Sequence, residues 1–139
     1  MKPFAVSSVL AFAFALASAG CSGNDGEIKV AAASSPLSDK GNDALFTIEV
    51  IDARDDGYAA DKIRVKVTPD GKEGIDVVCT LQDVNTNKKV DKGDKLACIE
   101  GAENKLDAAI AGKEAKVELF ATIDDAEERV GDGTWTPPK

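Results

Sequence analysis

Beyond about residue 45 the chain alternates apolar and polar positions almost one for one. Phe46, Ile48 and Val50 alternate with Thr47 and Glu49. Ile63, Val65 and Val67 alternate with Lys62, Arg64, Lys66 and Thr68. Val117, Leu119, Ala121 and Ile123 share one phase of 116–123, with Lys116 and Glu118 in the other. In an extended chain successive side chains point to opposite faces, so each run predicts a strand with one face covered and one face wet. Further runs span 75–84 and 95–100, with a short piece at Lys89-Val90. Turn formers fall between them at Asp56-Gly57, Pro69-Asp70-Gly71, Asn85-Thr86-Asn87, Lys92-Gly93-Asp94 and Gly131-Asp132-Gly133. Only 104–112, through Leu106, Ala109 and Ile110, has helical spacing, enough for one or two turns bridging two sheets. The expected domain, 45–136, is therefore all-β and antiparallel, with about 7–8 strands in a sandwich or barrel.

The residues before it read differently. Ser, Gly, Asn, Asp, Ala and Pro dominate 21–44, as in Ser22-Gly23-Asn24-Asp25-Gly26 and Ser34-Ser35-Pro36. Such composition buries little, so this segment is expected to be a flexible tether, with Ile28-Lys29-Val30 available as an edge strand.

Residues 1–20 carry one early positive charge, Lys2, then an apolar stretch, then the small residues Ala17-Ser18-Ala19-Gly20. That is the pattern of a secretory signal peptide. It is too short, and too interrupted by Ser7, Ser8 and Ser18, for the ~20 apolar residues of a spanning helix. With Ala19-Gly20-Cys21 at its end the segment resembles a bacterial lipoprotein signal, although Ser18 stands where such signals usually have Leu. The resemblance implies cleavage before Cys21 and acylation of that cysteine with palmitate-type chains. It implies a membrane anchor in the cell envelope, with Ser22 in the next position favouring the outer membrane. Without lipidation, cleavage at Ala15-Leu16-Ala17 or Ala17-Ser18-Ala19 would leave a soluble secreted or periplasmic protein.

Cys79 and Cys98 remain as an even pair in an exported, oxidising compartment, which predicts a disulfide. Phase agrees: Cys79 shares a face with Ile75, Val77 and Leu81, and Cys98 with Leu96. The loop before Ile63–Val67, with Asp52, Asp55, Asp56 and Asp61, and the Pro69-Asp70-Gly71 turn after it resemble bacterial cell-surface immunoglobulin-like domains. That resemblance implies an antiparallel immunoglobulin-like β-sandwich. The cysteine pair departs from the antibody pattern, since it is close in sequence and Trp135 lies beyond both members. The bond is accordingly expected to join neighbouring strands or a hairpin corner.

Composition removes several classes of function. The formal net charge is −8, and only Lys2 among the charged residues lies in the first twenty. An acidic domain is unsuited to nucleic acid and to anionic lipid. There is no histidine, so Ser-His-Asp and Cys-His catalysis and His-ligated metals are excluded. No phosphate-loop or dinucleotide-binding glycine pattern occurs. Beyond residue 20 the aromatics are Phe46, Tyr58, Phe120 and Trp135. Trp135 is expected to close the core, where a small core gains most from an indole.

One cofactor candidate stands out. Asp83, Asn85, Asn87, Asp91 and Asp94 occupy positions 1, 3, 5, 9 and 12 of a twelve-residue loop, with Val90 at position 8. This resembles an EF-hand calcium loop, in which hard oxygens surround a hard cation. It departs from that pattern with Lys88 where Gly makes the turn and Asp94 where a bidentate Glu is usual. The competing reading is a β-hairpin whose Asn and Asp residues serve the turn alone. A second acidic run, Asp52, Asp55, Asp56 and Asp61, could hold a weakly bound calcium ion or be a solvated loop. The carboxylate pairs Asp55-Asp56, Asp124-Asp125 and Glu127-Glu128 read as solvated turns rather than as a glycosidic acid–base pair, which needs a raised carboxyl in a cleft. The expectation is a non-enzymatic envelope lipoprotein without an obligatory cofactor. It would act as a protein-binding or structural module toward another envelope protein. The alternatives are an inhibitor of a secreted hydrolase, such as a lysozyme or protease, and a calcium-binding surface module.

Overall fold

The computed structural model describes residues 26–101 and 106–139. The signal segment, Cys21 and the start of the helix-spaced run at Asn104 lie outside the described residues. Nine strands follow in chain order: β1 (Glu27–Ala32), β2 (Ala44–Asp52), β3 (Tyr58–Ala59), β4 (Ile63–Pro69), β5 (Ile75–Gln82), β6 (Lys89–Val90), β7 (Lys95–Ile99), β8 (Ala115–Ile123) and β9 (Ala126–Trp135). Among the described residues there is no α-helix, only two 3-10 turns, Ala60–Lys62 and Ala108–Ile110. The second occupies the run with helical spacing. Asp107 caps it, its carboxylate accepting from the Ala109 amide at 2.9 Å.

Seven strands make one sheet in the order β1-β2-β7-β5-β4-β8-β9, every hydrogen-bonded neighbour antiparallel. β3 and β6 pair separately as a short ribbon. The strand runs read from alternation at 46–50, 63–68, 75–84, 95–100 and 116–123 all appear. Their inward phases carry the core: Phe46, Ile48 and Val50 on β2, Val65 and Val67 on β4, Leu96 and Cys98 on β7, Val117, Leu119 and Ala121 on β8. The register slips between Ala44 and Phe46, which lets Leu45 and Phe46 both turn inward.

The main sheet curls until its two edge strands meet, so its shape is near-barrel and an immunoglobulin-like sandwich is not confirmed. Two features produce the closure. A bulge between Leu119 and Phe120 of the β8–β9 ladder sets Val130 as the extra residue, so that Val130 and Gly131 are both buried and Trp135 returns to the inward phase. The glycines Gly131 and Gly133 then admit β1. A methyl group on Gly131 would stand 2.9 Å from Ile28 Cγ2, and one on Gly133 would stand 3.1 Å from Val30 Cγ2. Gly131-Asp132-Gly133, expected as a turn, is thus part of a strand. The missing side chains serve packing across the seam rather than chain reversal.

From residue 26 on, this seam replaces the expected tether of 21–44 with ordered structure. Residues 27–32 pair with β2 from Asp52 to Phe46, and Ile28 is buried against the core. Further along, Leu37 is buried, and Asp43 accepts from the Ser38 amide at 2.8 Å and the Ser38 hydroxyl at 2.9 Å. Two apolar residues on one phase, Ile28 and Val30, hold a strand here because a matching groove of glycine waits on β9.

The Cys79–Cys98 disulfide joins directly opposed residues of the adjacent strands β5 and β7. Trp135 is buried, with its ring edge-to-face against Phe46 at 5.2 Å between centroids.

Candidate functional site

The register sorts the loops to two ends. At the end where β2, β5 and β8 finish lie 53–62, 83–94 and the β8–β9 turn. At the opposite end lie 33–43, the β4–β5 turn and the residues between β7 and β8. Both acidic runs singled out in the sequence fall at the first end. The β3–β6 ribbon holds them together, pairing Tyr58 with Val90 and Ala59 with Lys89. Gly57 makes this possible. Its φ is +66°, and a side chain there would collide with the Asp91 carboxylate. The two loops border an open polar cleft of about 530 Å³, with Asp52, Asp55, Asp56, Asn85, Asn87 and Asp91 in its wall. Arg54, Lys89 and Lys92 line it as well.

The geometry of 83–94 is that of a tightly tied hairpin loop. Asp94 is buried; its Oδ1 accepts from the Val84 amide at 2.9 Å and its Oδ2 from the Asp91 amide at 2.8 Å. Asp83 Oδ2 accepts from the Lys88 amide at 2.6 Å, which closes the turn around Lys88, whose φ is +63°. Asp91 Oδ2 accepts from Asn87 Nδ2 at 2.6 Å and from Asn85 Nδ2 at 3.4 Å. Asn87 Oδ1 accepts from the Lys89 amide at 3.0 Å. The loop thus places a non-glycine residue in the left-handed region at its sixth position and uses the Asp83 carboxylate to hold it there. Asp83 Oδ1 is buried without a hydrogen-bond partner. Among the described residues no group of three or more carboxylate or cysteine side chains is arranged to hold a metal ion. In the neighbouring loop Asp52 Oδ1 accepts from the Ala53 amide at 3.0 Å, and Arg54 lies 3.8 Å from Asp56.

The three carboxylate pairs are all exposed, and none faces a cleft as a pair except Asp55-Asp56. Asp124 and Asp125 make the two-residue β8–β9 turn, with φ of +51° and +68°. Glu127 is bound bidentately by Arg64, at 2.7 and 3.1 Å, which holds its carboxyl below the usual range. Arg64 also donates to Asp76 at 2.8 Å and lies over the Phe120 ring at 4.6 Å, so one guanidinium links β4, β5, β8 and β9 on the outer surface.

Two features escape a reading by loops and motifs. One is an uncharged patch on the outer face of β2, β7 and β5. Val78 and Ile99 are direct cross-strand partners, 56% and 37% exposed, and the adjoining rung is Thr47, Ala97 and Thr80. The doublet Val77-Val78 signals it, since both members cannot face inward on a strand. The other is Glu100, which is buried. It continues the inward phase of Leu96 and Cys98, so period two locates it. Burial raises its carboxyl above the usual range, against the opposing pull of the Leu106 amide, and the nearby Asp43 carboxyl adds to the rise.

Compared with known proteins, the chain matches no family model, no curated protein and no solved structure.

Proposed function

We propose that this chain is a non-enzymatic envelope lipoprotein, anchored through an acylated Cys21 and presenting one disulfide-linked β-domain to another envelope protein. The anchoring rests on the Ala19-Gly20-Cys21 signal; more than one acyl chain on Cys21 would make it stable. The outer membrane is the favoured site through Ser22. Opposite walls of the near-barrel sheet pressed together would give an immunoglobulin-like sandwich, a scaffold that presents faces and loops.

The observation that carries the binding role is the Val78–Ile99 patch. In a chain with 30% charged residues, exposed branched apolar side chains facing each other across two strands, beside Thr47, Ala97 and Thr80, are an unusual surface to leave in water. The uncharged centre and charged surroundings match the anatomy of a protein interface. The disulfide lies directly beneath, between Cys79 and Cys98, so the patch is presented on braced backbone. The test is affinity capture from solubilised native envelope with the disulfide-bonded protein and with Val78→Asp as bait. One protein enriched by the first and lost with the second supports the reading; equal recovery by both overturns the assignment of this face. If the captured protein is a secreted hydrolase, inhibition assays then distinguish an inhibitor from an adaptor.

A second reading draws on the first-end cleft, where the fold gathers the carboxylates of both acidic loops. It is a weak calcium site of the extracellular, millimolar kind. Saturation at 100 times the dissociation constant would add ~2.7 kcal/mol to stability. Thermal unfolding with millimolar calcium and with chelator decides it, and coincident midpoints would exclude it.

A further inference from the structure

At the opposite end the core is closed by Leu106 and Ile110, both buried, with Leu37 buried at the same end. The group that holds this plug is itself ionisable. Glu100 Oε2 accepts from the Leu106 amide at 3.1 Å. Its other oxygen, Oε1, is buried without a partner. The whole residue is 7% exposed. The Asp43 carboxyl lies within hydrogen-bonding reach, already occupied by the Ser38 amide and hydroxyl, and the Glu100 amide donates to the Asp43 carbonyl at 3.2 Å.

Charge makes the arrangement one-sided. The elements around Glu100 carry Asp39, Lys40 and Asp43 in 33–43, Glu49 and Asp52 on β2, Asp76 on β5, Lys95 on β7 and Asp107 beside the 3-10 turn. Of these only Asp43 acts on its carboxyl, and among the described residues no basic side chain pairs with it. A buried anion facing a second anion, with no cation beside it among the described residues, is costly. A proton removes the conflict. Placed on Oε1, it gives the orphan oxygen a hydrogen to donate to Asp43, while Oε2 still accepts from Leu106.

We propose that Glu100 is a proton-operated latch: its neutral acid ties the 33–43 loop to the Leu106 plug, and its ionisation loosens that end of the barrel. Burial and the Asp43 carboxyl favour the neutral form and outweigh the Leu106 and Asp43 amides, which favour the charged one. On ionisation the carboxylate gains by moving toward water, and the segment bonded to it is drawn along. The device would make this end of the domain tighter below the Glu100 midpoint and looser above it, opposite in sign to the Arg64-bound Glu127.

Two measurements on the full, disulfide-bonded chain test it. Carboxyl-detected NMR titration should give Glu100 a midpoint above that of an ordinary glutamate. Exchange of the Leu106 amide should speed up through the same midpoint by more than the intrinsic base-catalysed increase. In Glu100→Gln, whose amide donates to Asp43 and accepts from Leu106 at every pH, the excess should vanish. An ordinary Glu100 midpoint, or the same excess exchange in the variant, overturns the proposal. If the variant does not fold, the titration of the unaltered chain decides alone.

Discussion

Trp135 shows how much one side chain can hold when large ones are scarce. It is the only tryptophan, it is buried at the closing end of β9, and it meets Phe46 from β2, so it spans the barrel interior. Trp135→Ala should cost about 3–5 kcal/mol, measured by urea unfolding of the disulfide-bonded chain. Arg64 works on the outer surface instead. Half-exposed and salt-screened, its links to Glu127 and Asp76 should each contribute only about 0.2–1 kcal/mol. They leave a pH signature of definite sign. The folded-state Glu127 carboxyl is held low by Arg64, so its contribution is present above the unfolded value and lost as pH falls through the folded one. Glu100 has the opposite sign: its contribution is fully present below the unfolded value and is lost as pH rises through the folded one. Unfolding midpoints from pH 3 to 8 should therefore fall at the acid end in the unaltered chain, and Arg64→Ala should flatten that fall while leaving the Glu100 limb.

At the scale of elements, the disulfide and the seam are the two points of closure. Cys79 and Cys98 are 19 apart in sequence, and removing the cross-link by Cys79→Ala with Cys98→Ala should cost about 3 kcal/mol in the chain-entropy account. The seam depends on backbone proximity. Gly26 presses against the Val130 carbonyl, so that even a methyl group would overlap it. Gly26→Ala should loosen β1, seen as faster amide exchange in 27–32 while β4 and β8 stay protected. These elements also show what was legible beforehand. Alternation located β2, β4, β5, β7 and β8, because a half-covered strand must alternate, while the two-residue β3 lay inside what reads as an acidic loop. The cysteine phases gave the bond for the same reason. β9 was obscured because its bulge at Val130 breaks the phase and its glycines mimic a turn. β1 looks in sequence like an edge piece within a tether, because Ile28 and Val30 have their partners a hundred residues away on β9. The candidate loops were found as separate runs; that they share one cleft depends on the β3–β6 ribbon, a pairing of two-residue pieces that no local pattern specifies.

The whole molecule combines an acidic domain with an uncharged patch on one wall, a polar acidic cleft at one end and a carboxyl-held plug at the other. The proposed anchor orders these parts. β1 begins six residues after Cys21 in the chain, so the end of the barrel with the acidic cleft, where β1 starts, is the membrane-proximal one if the cysteine is acylated. The patch on β5 and β7 would then face sideways, along the envelope, toward a neighbouring protein. Everything in this picture hangs on Cys21. The decisive measurement is mass spectrometry of the N-terminal peptide from the protein made by its own host and extracted with the membrane fraction. The account predicts a chain beginning at Cys21 and carrying two or three acyl chains. A chain beginning at Ser18 or Gly20, with Cys21 unmodified and the protein in the soluble fraction, would contradict it.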